Sequence, residues 1–173
     1  VIEKIQQAVK DYGQQVDSKF EEANSNLGAL EGYIEGAFYD GIINASEAKS
    51  LRGLLDIIKQ DKAVIDEEYN TLYSNNYLID NYKQLLYNTK NTYNSAFSSY
   101  ESKLTLIINQ GSVTEEEQRE INSLGNSYRE AIKNYKDTVI QCLDSITSKR
   151  IEELDGTITD RFVTIETENG EIK

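Results

Sequence analysis

Proline is absent from all 173 residues of this chain. Because proline removes a helix hydrogen bond and clashes with the preceding turn, a proline-free chain of this length points to long, uninterrupted helices. Hydrophobic residues make up 38% of the sequence, which suits an elongated molecule with much exposed surface. The length allows one domain with a real core. We therefore predict an all-α fold.

Histidine is also absent, and Cys142 is the single cysteine. Histidine-based catalytic triads, histidine metal sites, internal disulfides and thiolate clusters are therefore excluded. A net charge of −12 argues against a nucleic-acid partner, which needs a basic protein face. No run approaches the ~20 apolar residues of a membrane span. We expect no enzymatic activity, no cofactor, no metal and no membrane insertion. The chain starts at Val1 without an initiator methionine, which suggests an excised fragment, and no signal-peptide pattern begins it.

Apolar residues in the first 38 positions recur every seven residues, which is the spacing of a coiled-coil seam. Polar Lys19 and Asn26 interrupt the companion position of the heptad. Two interpretations fit: a helix that pairs with other chains, and an amphipathic helix on the core of a monomer. We predict the first, an N-terminal coiled-coil arm over residues 1–38. The seven-residue series is Ile2, Val9, Val16, Ala23, Leu30 and Ala37.

Three glycines lie four residues apart near the end of this arm, and each costs about 1 kcal/mol relative to alanine inside a helix. They are Gly28, Gly32 and Gly36. The spacing resembles a small-residue packing face, which would allow close helix contact where the arm meets the bundle. The alternative interpretation is a pliable junction between the arm and the bundle.

Two helix-start signals follow, 70 residues apart. In each, a glycine allows the conformation that ends one helix, and a capping box three residues later begins the next. We interpret them as one turn used twice. Each also resembles half of a calcium-binding loop, but too few oxygen ligands are present, so we favour a purely structural turn. The matching pairs are Gly41/Gly111, Ile43/Val113, Asn44/Thr114, Glu47/Glu117, Leu51/Ile121 and Leu54/Leu124.

The apolar stripes after the arm predict three more helices, the first ending near Tyr73. The next spans about Asp80 to Asn109, and the last runs from Glu115 to about Arg150. Short turns join them, so we predict an antiparallel three-helix bundle over residues 39–150.

Residues 151–173 return to a heptad of isoleucines, which predicts a C-terminal stem. The many threonines and the pair Asn169-Gly170 are also typical of strands joined by a hairpin turn. Coiled coil and partly β structure therefore both remain open for this segment. The isoleucines are Ile151, Ile158, Ile165 and Ile172.

Twelve tyrosines raise the question of a binding surface. Most follow the core stripes, but Tyr73, Tyr77 and Tyr87 lie near one end of the predicted bundle. We predict these three as candidate partner-contact residues. Cys142 lies on an inward stripe, and we expect it to behave as a small buried hydrophobe rather than as a nucleophile.

Three stretches resemble the helical segments of minor structural tail proteins from long-tailed phages and prophages of Gram-positive bacteria. They are Tyr39–Leu51 (Tyr-Asp-Gly-Ile-Ile-Asn-Ala-Ser-Glu-Ala-Lys-Ser-Leu), Asp61–Tyr69 (Asp-Lys-Ala-Val-Ile-Asp-Glu-Glu-Tyr) and Tyr73–Leu78 (Tyr-Ser-Asn-Asn-Tyr-Leu). The likeness covers roughly residues 10–145, and the second turn departs from it by having Gln110 where the first has an aspartate.

The resemblance implies a structural part of a tail tip or baseplate, commonly trimeric, that links the tail to host-recognition parts in a virion. We therefore expect a non-enzymatic spacer that forms a homotrimer and contacts other tail or baseplate proteins. Two alternatives remain. One is a helical binding module that contacts a host polymer or a neighbouring protein; the other is a secreted or surface-anchored bacterial adhesin.

Overall fold

The computed structural model describes the backbone of residues 1–169 and the side chains of residues 1–154. Four helices account for most of that part of the chain, and it contains no strand. The all-α fold and its bundle character are thus confirmed. The helices are α1 (Ile2–Ala37), α2 (Ala45–Tyr73), α3 (Asp80–Gln110) and α4 (Glu115–Asn169).

The helices run alternately up and down, so the α1–α2 and α3–α4 turns lie together at one end of the bundle. We call this end the tip and define it as residues 38–44 and 111–114. The α2–α3 turn lies at the opposite end. Around the bundle, α1 contacts α2 and α4, and α3 contacts the same two helices.

Helix α1 is a full member of the bundle rather than an arm beside it. Its heptad residues from Val16 onwards are buried against α2 and α4, in one continuous core. The heptad spacing predicted that this stripe pairs with other chains. In the structure of the single chain, α1 is instead an amphipathic helix that packs on the chain's own core. The physical reason is that an apolar stripe of this width can pack equally well against helices of the same chain or against helices of other chains.

The two turns at the tip have the same construction. Gly41 and Gly111 have φ angles of 77° and 72°, a region that suits glycine because it has no Cβ. Asn44 accepts a hydrogen bond of 2.8 Å from the Glu47 amide, and Glu47 accepts one of 3.1 Å from the Asn44 amide. Thr114 and Glu117 repeat this capping box at 3.0 and 3.1 Å. The prediction of one structural turn used twice is confirmed.

The two turns also pair with each other. The Ile43 amide donates to the Gly111 carbonyl and the Val113 amide donates to the Gly41 carbonyl, each at 3.0 Å. These contacts are reciprocal, because Ile43 matches Val113 and Gly41 matches Gly111 after the 70-residue offset. Reciprocal contacts are the signature of a two-fold axis. The first hairpin (α1 and α2) and the second hairpin (α3 and α4) are therefore related by an approximate two-fold axis through the tip.

Core positions obey the same offset over most of the bundle, since a buried residue in the first hairpin has a buried counterpart 70 positions later. Tyrosine replaces aliphatic residues in the second hairpin, so small and large side chains fill one core together. The buried pairs include Val16/Leu86, Ala23/Tyr93, Leu30/Tyr100, Ile34/Leu104, Leu51/Ile121, Ile58/Tyr128, Ile65/Tyr135 and Leu72/Cys142.

Helix α4 has 55 residues whereas its neighbour α3 has 31, so α4 extends past the α2–α3 turn. We call its residues 151–169 the stem. Their backbone is helical. Gly170, part of the alternative hairpin interpretation, and Ile172 lie outside the described residues.

The exposed glycines of α1 predict a gain in stability. A Cβ added at Gly32 or Gly36 meets nothing within 4 Å, so neither glycine serves a close helix contact in the described structure. We expect Gly32→Ala and Gly36→Ala each to raise the free energy of unfolding by about 0.5–1 kcal/mol in urea titrations.

Gly41→Ala is the matched contrast, since it places a Cβ at positive φ, 3.3 Å from the Val113 carbonyl oxygen. We expect it to lower the free energy of unfolding by about 1–2 kcal/mol. Destabilisation by Gly36→Ala would contradict the open environment described for that helix face.

Candidate functional site

Two of the three candidate contact tyrosines lie together on the face between α2 and α3. Tyr73 is 39% exposed and Tyr87 is 48% exposed. Tyr73 stacks on Tyr69 with 5.6 Å between ring centroids, and the Lys83 ammonium lies 5.6 Å from the Tyr73 centroid. Burial, followed by the influence of Tyr73 and Tyr87, raises the pKa of Tyr69. Tyr69 and Tyr73 therefore form a stacked pair beside a lysine, and Tyr87 lies near enough to influence Tyr69.

The third candidate, Tyr77, is separate from this group. It is half-buried against the core, and its ring faces α4, with the Arg150 guanidinium 5.8 Å from the centroid. It lines an open groove of 660 Å³ beside the α2–α3 turn. The groove is lined by Asn76, Tyr77, Ile79, Lys149, Glu152 and Glu153. The predicted contact role of the three tyrosines stays a prediction.

A charged cluster fills the middle of the α2–α3 interface. Lys62 donates to Asp66 at 2.7 Å and to Asn94 at 2.9 Å. Lys90 lies 2.9 Å from the other Asp66 oxygen and donates to Asn94 at 2.8 Å. Both ammonium groups also lie over the Tyr93 ring, at 5.2 and 5.6 Å from its centroid. Two ammonium groups thus share one carboxylate, and Lys90 is buried.

The approximate two-fold axis supplies a comparison for this cluster. On the equivalent α1–α4 interface, the positions of Lys62 and Lys90 are occupied by Ile132 and Phe20, and both are buried. The fold therefore accepts apolar side chains at both lysine positions, while the counterpart of Asp66 is Lys136, which pairs with Asp17 on α1 at 2.6 Å. Since burying an ammonium costs free energy unless it is paired, the lysines are tolerated only because Asp66 and Asn94 compensate them.

A second polar group joins α1 to α2. Glu68 accepts hydrogen bonds from Tyr12 and, at 2.6 Å, from Lys19. Burial opposes the ionisation of Glu68, but these hydrogen bonds outweigh it and hold the pKa of the carboxyl below its usual value. Lys19, which interrupts the heptad, is thus used as an ion-pair partner on the surface of the bundle.

Cys142 and Asp40 both have structural partners. Burial raises the pKa of the Cys142 thiol to about 11, and its sulfur donates to the Tyr82 carbonyl at 3.8 Å. Asp40 accepts from the Ile42 amide at 3.0 Å, inside the first turn. Among the described side chains, no three histidine, cysteine, aspartate or glutamate residues come together as a metal site would require.

Two exposed apolar residues at the tip were not singled out by the sequence analysis. Tyr39 is 90% exposed and Ile42 is 62% exposed, although both lie in the turn that the sequence identified. Phe38 and Ile43, their neighbours in the chain, are buried. Sequence spacing gave no signal for the difference, because in an irregular turn the direction of a side chain depends on the backbone path.

The described helices include none with an apolar stretch long enough to span a lipid bilayer. Comparisons of the chain with protein-family models, with curated proteins and with solved structures found no match. The fold and the geometry described above are therefore the basis on which a function can be inferred.

Proposed function

We propose that the chain is a non-enzymatic structural spacer that self-associates through its stem. The observation that supports this proposal most is the length of α4, which runs from the tip through the whole bundle and on to Asn169. At 1.5 Å per residue, its 55 residues span roughly 80 Å in one uninterrupted helix. A long helix that outruns its bundle suits a protein that holds other parts at a fixed distance.

The stem is the segment best suited to pairing with other chains. Its isoleucines recur at heptad spacing, and isoleucine at successive a positions of a heptad is compatible with trimers. From Val16 onwards the α1 stripe is occupied within the chain, so that part is not available for the same purpose. We therefore place the proposed homotrimer contact in residues 151–173 rather than in α1.

Self-association can be tested by light scattering and sedimentation of the full chain. We expect a mass of three times 19.7 kDa that falls to one chain in the variant Ile158→Asp with Ile165→Asp. Residues 151–173 hold seven acidic and two basic residues, so like charges crowd around the heptad core. Trimerisation should therefore strengthen as salt screens this repulsion.

Ile140→Asp is the matched control, because it places the same charge on a partly exposed position of α4 within the bundle. We expect it to leave the trimer intact. A single-chain mass at high protein concentration and high salt would contradict the proposal, as would association that weakens steadily when salt is added.

We propose that the spacer is located at the end of a phage or prophage tail, in the tail tip or baseplate of the particle. The resemblance to minor structural tail proteins supports this location. Gold-labelled antibodies against the bundle should then mark one end of the tails of purified particles. Labelling of the bacterial surface in cells that produce no particles would instead support the adhesin alternative.

A helical binding module is the second candidate function. The exposure of Tyr73 and Tyr87 beside Lys83 favours it, since aromatic side chains next to a cation often serve as contact residues. The half-buried position of Tyr77 gives this residue a smaller part in any such surface.

A further inference from the structure

The two turns at the tip have the same backbone but present different side chains to solvent. In the first turn, the exposed positions are occupied by Tyr39 and Ile42. In the second, the matching exposed positions are Ser112 and, in the last turn of α3, Asn109, whose side chain accepts a hydrogen bond from Arg52 at 3.1 Å. Apart from Val1 at the chain start, Tyr39 at 90% and Ile42 at 62% are the most exposed large apolar side chains among those described.

Folding of the turn does not require these two side chains. The bonds that hold the turns together join backbone atoms of Gly41, Ile43, Gly111 and Val113, and the capping boxes use other residues. The second turn forms the same structure with asparagine and serine. It therefore acts as an internal control, and it indicates that Tyr39 and Ile42 serve something other than the turn.

The surroundings of the pair are acidic. Residues 35–49 and 105–120 together contain seven acidic and two basic residues, of which Glu117 and Glu120 are paired with Lys103 just outside these ranges. Asp40 lies between Tyr39 and Ile42 in the chain and is exposed, as are Glu115 and Glu116 across the tip. Two copies of this surface would repel each other, whereas a basic partner surface would be attracted to it.

We propose that the tip is a docking surface for a protein partner that has an apolar pocket rimmed by lysine or arginine. Tyr39 and Ile42 enter the pocket, and the acidic residues around the tip meet the basic rim. Tyrosine is a common anchor in such contacts, because it buries a large area and loses little conformational freedom. The proposal concerns the end of the bundle away from the stem and does not depend on trimerisation.

A displayed library of random short peptides is a suitable probe. Peptides would be selected on the full chain and counted against the variant Tyr39→Asn with Ile42→Ser, which copies the second turn onto the first. We expect selected peptides that combine aromatic or aliphatic residues with lysine or arginine. Their binding should weaken about tenfold or more in the variant and should also weaken as salt is added.

The matched control is Asn109→Ala with Ser112→Ala, which alters the equivalent positions of the second turn and should leave peptide binding unchanged. Circular dichroism and thermal unfolding would establish that both variants keep the fold. Selection of peptides that bind both tip variants equally, or of acidic peptides, would overturn the proposal. A trimer or dimer that is lost in Tyr39→Asn with Ile42→Ser would also overturn it, because the occupant would then be a second copy.

Discussion

Raising the pH above 10 is expected to unfold this protein, with a midpoint at about pH 11–12. The cause is a set of buried tyrosines along the α3–α4 interface. Burial raises the pKa of Tyr93, Tyr100, Tyr128 and Tyr135 above the ordinary value of 10.0. Their rings are packed against each other, with 5.0 Å between the centroids of Tyr93 and Tyr135 and 5.8 Å between those of Tyr93 and Tyr128.

The sign follows from which form the folded state prefers. A raised pKa means that the folded protein holds the phenol proton more tightly than the unfolded chain does. This contribution is complete below pH 10 and is lost as the pH rises from 10 towards the folded-state pKa values. Each tyrosine can remove up to ~1.4 kcal/mol per pH unit, so four can remove ~5 kcal/mol or more, against a typical domain stability of about 5–15 kcal/mol.

Far-UV circular dichroism and tyrosinate absorbance, recorded together, would check this. Ionisation of the buried phenols should coincide with the loss of helix. Tyr93→Phe with Tyr135→Phe removes two of the ionising groups and should move the midpoint to higher pH. Tyr39→Phe is the control, because this side chain meets water in both states. A native spectrum that persists well beyond pH 12 would contradict the argument.

Asp66→Ala is expected to have the largest effect of any single charge removal. It would leave the Lys62 and Lys90 ammonium groups close together, mostly buried and without their carboxylate. Breaking a buried ion pair costs about 3–5 kcal/mol, and because the Asp66 side chain is 33% exposed we expect about 2–3 kcal/mol. Urea unfolding measures this directly.

Glu67→Ala is the control, since Glu67 is the exposed neighbour of Asp66 on the same helix. Its effect should stay within about 0.5 kcal/mol. Replacing the three charged residues by apolar residues of similar size, as Lys62→Met, Asp66→Leu and Lys90→Met, should be neutral or stabilising, because Ile132 and Phe20 already fill the two lysine positions on the equivalent α1–α4 interface. If Asp66→Ala cost no more than Glu67→Ala, the cluster would not be coupled.

The parts of the fold that depend on local chemistry could be predicted from the sequence. The glycine that permits positive φ and the capping box are short-range devices, so Gly41, Asn44 and Glu47 identified a helix boundary without tertiary information. The 70-residue offset similarly identified the second turn. That the two turns bond to each other could not be predicted, because it depends on how two hairpins pack.

The parts of the fold that depend on contacts between helices were harder to predict. The α1 stripe is compatible with packing within one chain or between chains, and periodicity alone does not choose between them. On α3, apolar Leu85 is exposed whereas charged Lys90 is buried, the opposite of what residue type alone predicts. A lysine can be buried when a carboxylate on another helix reaches it. The spacing of residues along α3 cannot show that Asp66 of α2 lies beside Lys90.

The pairing of sequence neighbours has a kinetic consequence. Three of the four helix–helix interfaces, α1–α2, α2–α3 and α3–α4, join helices that a short turn connects, whereas the α1–α4 interface joins distant parts of the chain. Short loops close quickly. Each hairpin can therefore assemble from its own local contacts before the two meet. The reciprocal hydrogen bonds between Ile43, Gly111, Val113 and Gly41 form only when the hairpins dock, so we expect them to form later in folding than the contacts within each hairpin.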